Sequence, residues 1–208
     1  YFMYPCYEMF NNTNIQTAVN GYGANSIYRG DFWAGYLGQK GGYNSYAFQG
    51  VSPSASGNGW DFQFIRRINI MLSHLEDGVL STEEVSHWKS VGLFFHSYWY
   101  MELISRFGDV PWVDEIITDS SEERFMARTP RDEVASNILE RLIWAEENIG
   151  SSDKDGDNPV TRDCIRVLLS RFGLREGTWR KYHGLGDAEK YLQACIKYSE
   201  LRSEERRV

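Results

Sequence analysis

The sequence predicts an all-α protein of tetratricopeptide-like helical hairpins, with a long irregular segment rich in aromatic residues and glycine at its N-terminus. Two observations predict this class. From residue 60 onward, apolar residues recur at three- and four-residue steps, which is the period of an amphipathic helix. Residues 1–59, in contrast, are rich in Gly, Asn, Ser and Tyr and show no sustained period, which is typical of loops.

The first predicted helix covers about residues 60–77. Gly78 suits the position just past its end, because glycine adopts at little cost the positive φ that a C′ residue needs. The predicted buried stripe consists of Ile65, Ile68, Leu72 and Leu75.

The second predicted helix covers about residues 82–107. Ser81 and Glu84 have the spacing of a capping box, in which each side chain bonds the backbone N–H of the other residue. Gly108 and Pro111 are expected to end the helix, because neither favours its continuation. Its apolar stripe consists of Val85, Trp88, Gly92, Phe95 and Trp99.

The third predicted helix covers about residues 130–149. Thr129 is expected as its N-cap and Pro130 as its first residue, where a missing N–H costs nothing. Asp132 and Glu133 then meet the positive end of the helix dipole. Its buried stripe consists of Val134, Ile138, Leu142, Ala145 and Ile149.

Two further helices are predicted, one from Asn158-Pro159 to about Trp179 and one over about residues 187–202. We expect the first helix to pair with the second and the third with the fourth, which leaves the fifth without a partner. Helix pairs of this size resemble tetratricopeptide-like repeats, in which neighbouring repeats cover each other's apolar faces.

The domain organisation follows from this contrast in texture. Residues 1–59 are expected to form a loop-rich segment that packs on the helices and carries the candidate ligand face. Residues 60–208 are expected to form the tetratricopeptide-like region, and the two parts together one domain.

Composition excludes several classes of protein. The net charge of −7 and the pI near 5.2 argue against a nucleic-acid groove, which needs a basic surface. No apolar run approaches the ~18 residues of a membrane span, and neither a signal peptide nor a lipobox is visible. Three cysteines do not make a disulfide framework, and Cys164 and Cys195 are expected in the core.

Motifs for catalysis or metal binding are not supported. Asp153 to Asn158 resemble a calcium loop, but Asn158 and Cys164 stand where an EF-hand needs Gly and Glu, so a polar turn is expected. The four histidines lack metal-site spacing, and no nucleophile elbow or phosphate loop is present. Asp31 and Asp61 lie beside aromatic residues, but nothing selects them as a catalytic pair.

The aromatic residues between Tyr22 and Phe48 are the main candidates for ligand binding. Aromatic faces stack on sugar rings, and nearby Asn, Gln and Asp side chains can bond hydroxyl groups. The alternative is that these side chains anchor a long loop to the helices. The predicted carbohydrate-binding residues are Trp33, Tyr36, Tyr43 and Tyr46.

The stretch REGTWRKYHG, from Arg175 to Gly184, concentrates reactive residue types. Since it falls at the end of the fourth predicted helix, we interpret it as structural. Trp179 and Tyr182 are expected to pack, and the cations to compensate the negative end of the helix dipole.

Four ordered segments over roughly residues 60–200 resemble the SusD/RagB family, in its N-terminal half. The segments are WDFQFIRRINIMLSHL (60–75), WKSVGLFFHSYWYMELISRFGDVPWVDE (88–115), RTPRDEVASNILERLIWAEENI (128–149) and LLSRFGLREGTWRKYHGL (168–185). Two features depart from the family pattern. Gly92 to Ser97 replace a more basic helix surface, and members of the family are typically more than twice as long.

The resemblance implies a surface-exposed outer-membrane lipoprotein with tetratricopeptide-like helix pairs, lacking its C-terminal half here. It implies non-catalytic capture of an oligosaccharide or polysaccharide for import through a SusC-like TonB-dependent outer-membrane transporter. No cofactor or metal is implied, and the membrane is reached only through a lipid anchor. Alternatives within the family are peptide binding and a purely transporter-docking or scaffold role.

Overall fold

A computed structural model describes residues 3–11, 60–75, 78–118, 121–150 and 159–205 of the chain. The chain divides into two compact units, Tyr1–Ser52 and Pro53–Val208. In the first unit the described residues form a 3-10 turn, Tyr4–Tyr7, that continues into a single α-helical turn, Glu8–Asn11.

The described part of the second unit is helical, as the sequence predicts. Its longer helices are α1 (Gln63–Ser73), α2 (Thr82–Phe107), α3 (Arg131–Asn148), α4 (Arg162–Tyr182) and α5 (Ala188–Glu205), with a 3-10 turn at Glu122–Phe125. Within the described ranges no strand forms, and β-type pairing is limited to an antiparallel bridge between Val110 and Thr129. The all-α prediction is therefore confirmed.

Helix α2 begins and ends as predicted, because local chemistry decides both ends. The Ser81 hydroxyl accepts from the Glu84 N–H at 3.3 Å, and the Glu84 carboxylate accepts from the Ser81 N–H at 2.9 Å. At the other end, Gly108 has φ +71° and donates its N–H to the Ile104 carbonyl oxygen at 3.0 Å.

The middle of α2 is buried on every side, so burial extends beyond the predicted apolar stripe. All eight residues from Ser90 to Ser97 are buried, because α1, α3 and α4 all pack against this helix. Gly92 allows α1 to come close. A Cβ at Gly92 would lie 2.6 Å from Met71 Cε and 2.9 Å from Leu72 Cδ2.

Helix α3 is capped differently from the prediction. Pro130 takes the N-cap position and makes no side-chain cap bond. Thr129 is instead part of the bridge to Val110, and its hydroxyl accepts from the Trp112 N–H at 3.1 Å. The carboxylate of Asp109 accepts from the Arg131 N–H at 2.9 Å, so an acid from the preceding loop satisfies the helix start.

Helix α4 begins at Arg162, after the predicted start. Thr161 is its N-cap, and its hydroxyl accepts from the Cys164 N–H at 3.3 Å. This position leaves Cys164 exposed on the first turn, and Cys195 on α5 is partly exposed. The prediction that both cysteines lie in the core was therefore wrong.

The prediction that the fifth helix lacks a partner was also wrong, because α4 and α5 form the most extensive helix contact among the described residues. Two glycines on one face of α4 make this possible. A Cβ at Gly173 would lie 2.5 Å from the Tyr191 carbonyl oxygen, and a Cβ at Gly177 would lie 2.7 Å from Leu192 Cγ. Each of the five helices packs on the next in the chain, with α2 on α3 as the second extensive contact.

Candidate functional site

The predicted sugar-stacking residues lie outside the part of the chain that the structure describes, and so their role stays a prediction: Trp33, Tyr36, Tyr43 and Tyr46. Of the two acids considered as a catalytic pair, Asp31 also lies outside it. The Asp61 carboxylate accepts from the backbone N–H of Gln63 at 2.9 Å, so it supports the start of α1.

Residues 110–118, which follow α2, form a segment that we call the strap. Side chains of α1 and α2 hold its backbone. The Asn69 side-chain amide donates to the Val113 carbonyl oxygen at 3.1 Å. The Tyr100 hydroxyl accepts from the Val113 N–H at 2.7 Å and donates to the Pro111 carbonyl oxygen at 3.0 Å. Buried polar groups therefore fix the strap against the helices.

A buried histidine of α2 also holds the strap. Burial lowers the pKa of His96 to about 3, and the charge of Arg141 adds to this effect, so the imidazole is neutral near pH 7. His96 Nε2 lies 3.2 Å from the Val113 carbonyl oxygen, and Arg141 lies 3.3 Å from Nδ1. Because a guanidinium only donates, Nδ1 accepts from Arg141 and Nε2–H donates to Val113. Arg141 also lies over the Trp112 ring at 4.7 Å.

A pocket of about 480 Å³ opens between the start of α1 and the strap. Its volume is within the range of roughly 300–1,000 Å³ that is typical of small-molecule sites. Trp60 and Phe62, just before α1, form an aromatic wall, and Pro111, Val113 and Ile117 form the facing wall on the strap.

The Trp60 ring is fixed by its neighbours. The edges of Phe62 and Phe107 meet it at centroid distances of 5.5 and 5.0 Å and interplanar angles of 74° and 86°. The Arg128 guanidinium lies 5.0 Å from the ring centroid, in cation–π geometry. Trp60 remains partly exposed, and its accessible surface lines the pocket.

Five hydrogen-bonding side chains line the same pocket: Asp61, Gln63, Arg66, Glu115 and Glu123. Arg66 donates to a strap carbonyl oxygen. Among the described lining residues there are one guanidinium and three carboxylates, which gives a formal charge of −2. The sequence did not reveal this site, because its walls come from residues about fifty positions apart.

The predicted helix end around Arg175–Gly184 contains a buried ion cluster. Glu176 and Arg180, both with 1% exposed side chains, pair at 3.0 Å. Glu176 also accepts from Arg131 at 2.7 Å, and Arg180 donates to Asp132 at 2.8 Å and to Asp187 at 2.6 Å. Hydrogen bonds from Arg180 hold the pKa of Asp187 below its usual value. The cluster ties α3 to α4 and to the turn before α5.

Trp179 packs as predicted, between the Arg131 guanidinium at 4.0 Å and the His183 ring at 4.3 Å. Tyr182, however, is 86% exposed, so its predicted packing role was wrong. Arg180 does not compensate the helix dipole at the surface, since it is buried in the ion cluster. Its spacing of four residues from Glu176 was the available signal.

The described ranges contain no group of three or more His, Cys, Asp or Glu residues that could hold a metal ion. None of the helices described is both long and apolar enough to cross a membrane.

Comparison with known proteins identifies a matching family. Residues 3–173 match the model of the SusD-like_3 family, which is described as starch-binding and associating with the outer membrane. A curated relative, SusD-like protein P2 from Formosa agariphila, is 35% identical over 88 residues. The matched region is 42% of this chain and 17% of that protein, so the chain spans only a part of this relative's length.

Solved structures share the fold. A SusD-like protein from Bacteroides fragilis superposes with a TM-score of 0.52 and 19% identity, over 83% of this chain and 28% of that chain. A SusD superfamily protein from Bacteroides vulgatus gives a TM-score of 0.55 and 18% identity, over 72% of this chain and 30% of that chain.

Proposed function

Because the chain belongs to the SusD-like family of starch-binding proteins associated with the outer membrane, we propose that it binds a glycan non-covalently at the cell surface. The family match over residues 3–173 carries this proposal. The bound glycan passes to a SusC-like TonB-dependent outer-membrane transporter for import. The protein performs no catalytic step in this role. Glu176, the buried acid in the stretch that concentrates reactive residue types, is held in ion pairs.

The binding site in this proposal is the aromatic segment of the first unit. Its residues suit sugar recognition, because a pyranose presents C–H groups on its faces and hydroxyl groups on its rim. Aromatic rings cover the faces, and Asn, Gln and Asp side chains bond the rim. The proposed contact residues are Trp33, Tyr36, Tyr43 and Tyr46.

Affinity electrophoresis in native gels that contain one polysaccharide each tests this site. We expect at least one neutral polysaccharide to retard the 208-residue chain. A variant with alanine at all four aromatic positions is expected to migrate as in a gel without polysaccharide, because the stacking surface is lost. Base–aromatic stacking is worth about 1–3 kcal/mol per ring, and a similar loss at four rings would abolish retardation.

Tyr182→Ala is the matched control, because it removes an aromatic ring that is 86% exposed and lies outside the proposed site. Its retardation should equal that of the wild type, and circular dichroism should show the same helix content in all variants. Unchanged retardation of the four-alanine variant would overturn the site assignment. Capture of peptides, with no retardation by any polysaccharide, would favour the peptide-binding alternative.

A further inference from the structure

We propose that the pocket between α1 and the strap is a second sugar site, which binds a short stretch of a neutral oligosaccharide. This inference rests on the proposed function and adds a site to it in the second unit. All the described residues that line the pocket belong to that unit.

Hydrogen bonds fix the strap wall of the pocket. Tyr100 and Asn69 hold the backbone of Val113, and Arg66 holds that of Ile117. A site that is already ordered loses less entropy when a ligand binds. This raises the affinity for ligands that otherwise bind weakly, such as hydroxyl-rich sugars.

The aromatic wall offers a stacking surface of limited extent. Arg128 covers part of the Trp60 ring, and the edges of Phe62 and Phe107 prevent the ring from turning. The accessible part of Trp60 faces a pocket of about 480 Å³, which has room for a short stretch of sugar units.

The polar side chains select for neutral sugars. Gln63, Glu115 and Glu123 are exposed at the pocket, and carboxylates and amides can bond the hydroxyl groups of a sugar. Arg66 is the single cation among the described residues of the lining. The formal charge of −2 repels uronic acids and sulfated sugars, and weakens their binding.

Fluorine NMR of the chain labelled with 5-fluorotryptophan separates the two proposed sites. The chain contains seven tryptophans, and Trp60→Phe and Trp33→Phe assign the two resonances of interest. The probes are maltohexaose, cellohexaose, xylohexaose and mannohexaose, with a mixture of short peptides as a further arm. We expect at least one hexasaccharide to shift the Trp60 resonance in a saturable way.

Gln63→Leu should weaken this binding by about three- to tenfold, as expected for the loss of one hydrogen bond. Gln193→Leu is the matched control. Gln193 is also an exposed helix residue, but it lies on α5 and outside the pocket. The affinity of the Gln193→Leu variant for the hexasaccharide should equal that of the wild type. Equal weakening by both substitutions would overturn the role of Gln63.

The other outcomes distinguish this inference from the proposed function. A shift confined to the Trp33 resonance would leave the proposed function standing and overturn the second site. No shift of any resonance with any hexasaccharide would overturn both. A shift of Trp60 with peptides alone would overturn the sugar assignment.

An acidic oligosaccharide tests the selection for neutral sugars. Hexagalacturonic acid should leave the Trp60 resonance unchanged in the wild type. The double variant Glu115→Gln/Glu123→Gln brings the formal charge of the lining from −2 to 0 and should bind the acidic sugar at least about tenfold more tightly. Equal affinity of wild type and variant would overturn the selection for neutral sugars.

Discussion

At the scale of residues, Arg180 shows how this fold stabilises a charge in its interior. Its guanidinium is 1% exposed and meets three carboxylates, from Asp132, Glu176 and Asp187. A buried charge is costly unless it is paired and hydrogen-bonded, and here each of the three guanidinium nitrogens donates to a carboxylate. The cluster therefore has a structural role, although the same residue types in sequence could also indicate a reactive centre.

Glu176→Gln should destabilise the fold by about 3 kcal/mol, because it leaves Arg131 and the buried Arg180 with less negative charge around them. Urea unfolding followed by circular dichroism measures the loss as a lower midpoint.

Glu102→Gln is the control for this substitution, since Glu102 pairs with Arg175 at 3.5 Å and both side chains are more than 40% exposed. Its effect should remain below about 1 kcal/mol. If the two substitutions lowered stability equally, the structural importance of the buried cluster would be refuted.

At the scale of elements, the sequence predicts what local chemistry decides. Ser81, Glu84 and Gly108 define α2 correctly, because capping depends on residues within one turn of the helix. The pairing of α4 with α5 was missed, because it depends on the backbone of α5 approaching Gly173 closely. An apolar stripe alone does not show which neighbour covers it.

The candidate site also has one part that local sequence predicts and one part that depends on contacts between distant residues. The aromatic segment is visible in the sequence as a local concentration of Tyr and Trp, and its role remains a prediction. The pocket was not predictable, since Trp60 and Gln63 meet Val113 and Ile117 only after the strap folds back. The hydrogen bonds that fix the strap also join residues far apart in sequence, such as Asn69 and Val113.

Gly173→Ala should destabilise the α4–α5 pair by about 2 kcal/mol, although alanine is the better helix former. The added Cβ would lie 2.5 Å from the Tyr191 carbonyl oxygen and 2.8 Å from the Cys195 nitrogen. Both are backbone atoms, so the two helices would have to separate. Urea unfolding of the variant measures this cost.

Gly186→Ala provides the comparison, because a Cβ at Gly186 has no neighbouring atom within 4 Å and its φ is not positive. Its midpoint should match that of the wild type. A Gly173→Ala variant as stable as Gly186→Ala would contradict the close approach of α4 and α5.

At the scale of the whole molecule, the chain belongs to a family that is described as starch-binding. Its second unit is a helix array with a strap fixed by hydrogen bonds and a pocket beside that strap. The chain spans less than a third of each of the two solved chains described above. Its substrate, its transporter and its cell-surface location are proposals drawn from the family. Capture of a glycan is the central claim on which these proposals depend.

A binding screen of the 208-residue chain tests this claim most directly. The panel holds immobilised plant, host and fungal polysaccharides, with immobilised peptides as the contrasting ligand class. We expect saturable binding to at least one neutral polysaccharide, with little change at high salt, because stacking and neutral hydrogen bonds are screened weakly. Binding to peptides alone, or to no polysaccharide by a chain that circular dichroism shows to be folded, would contradict it.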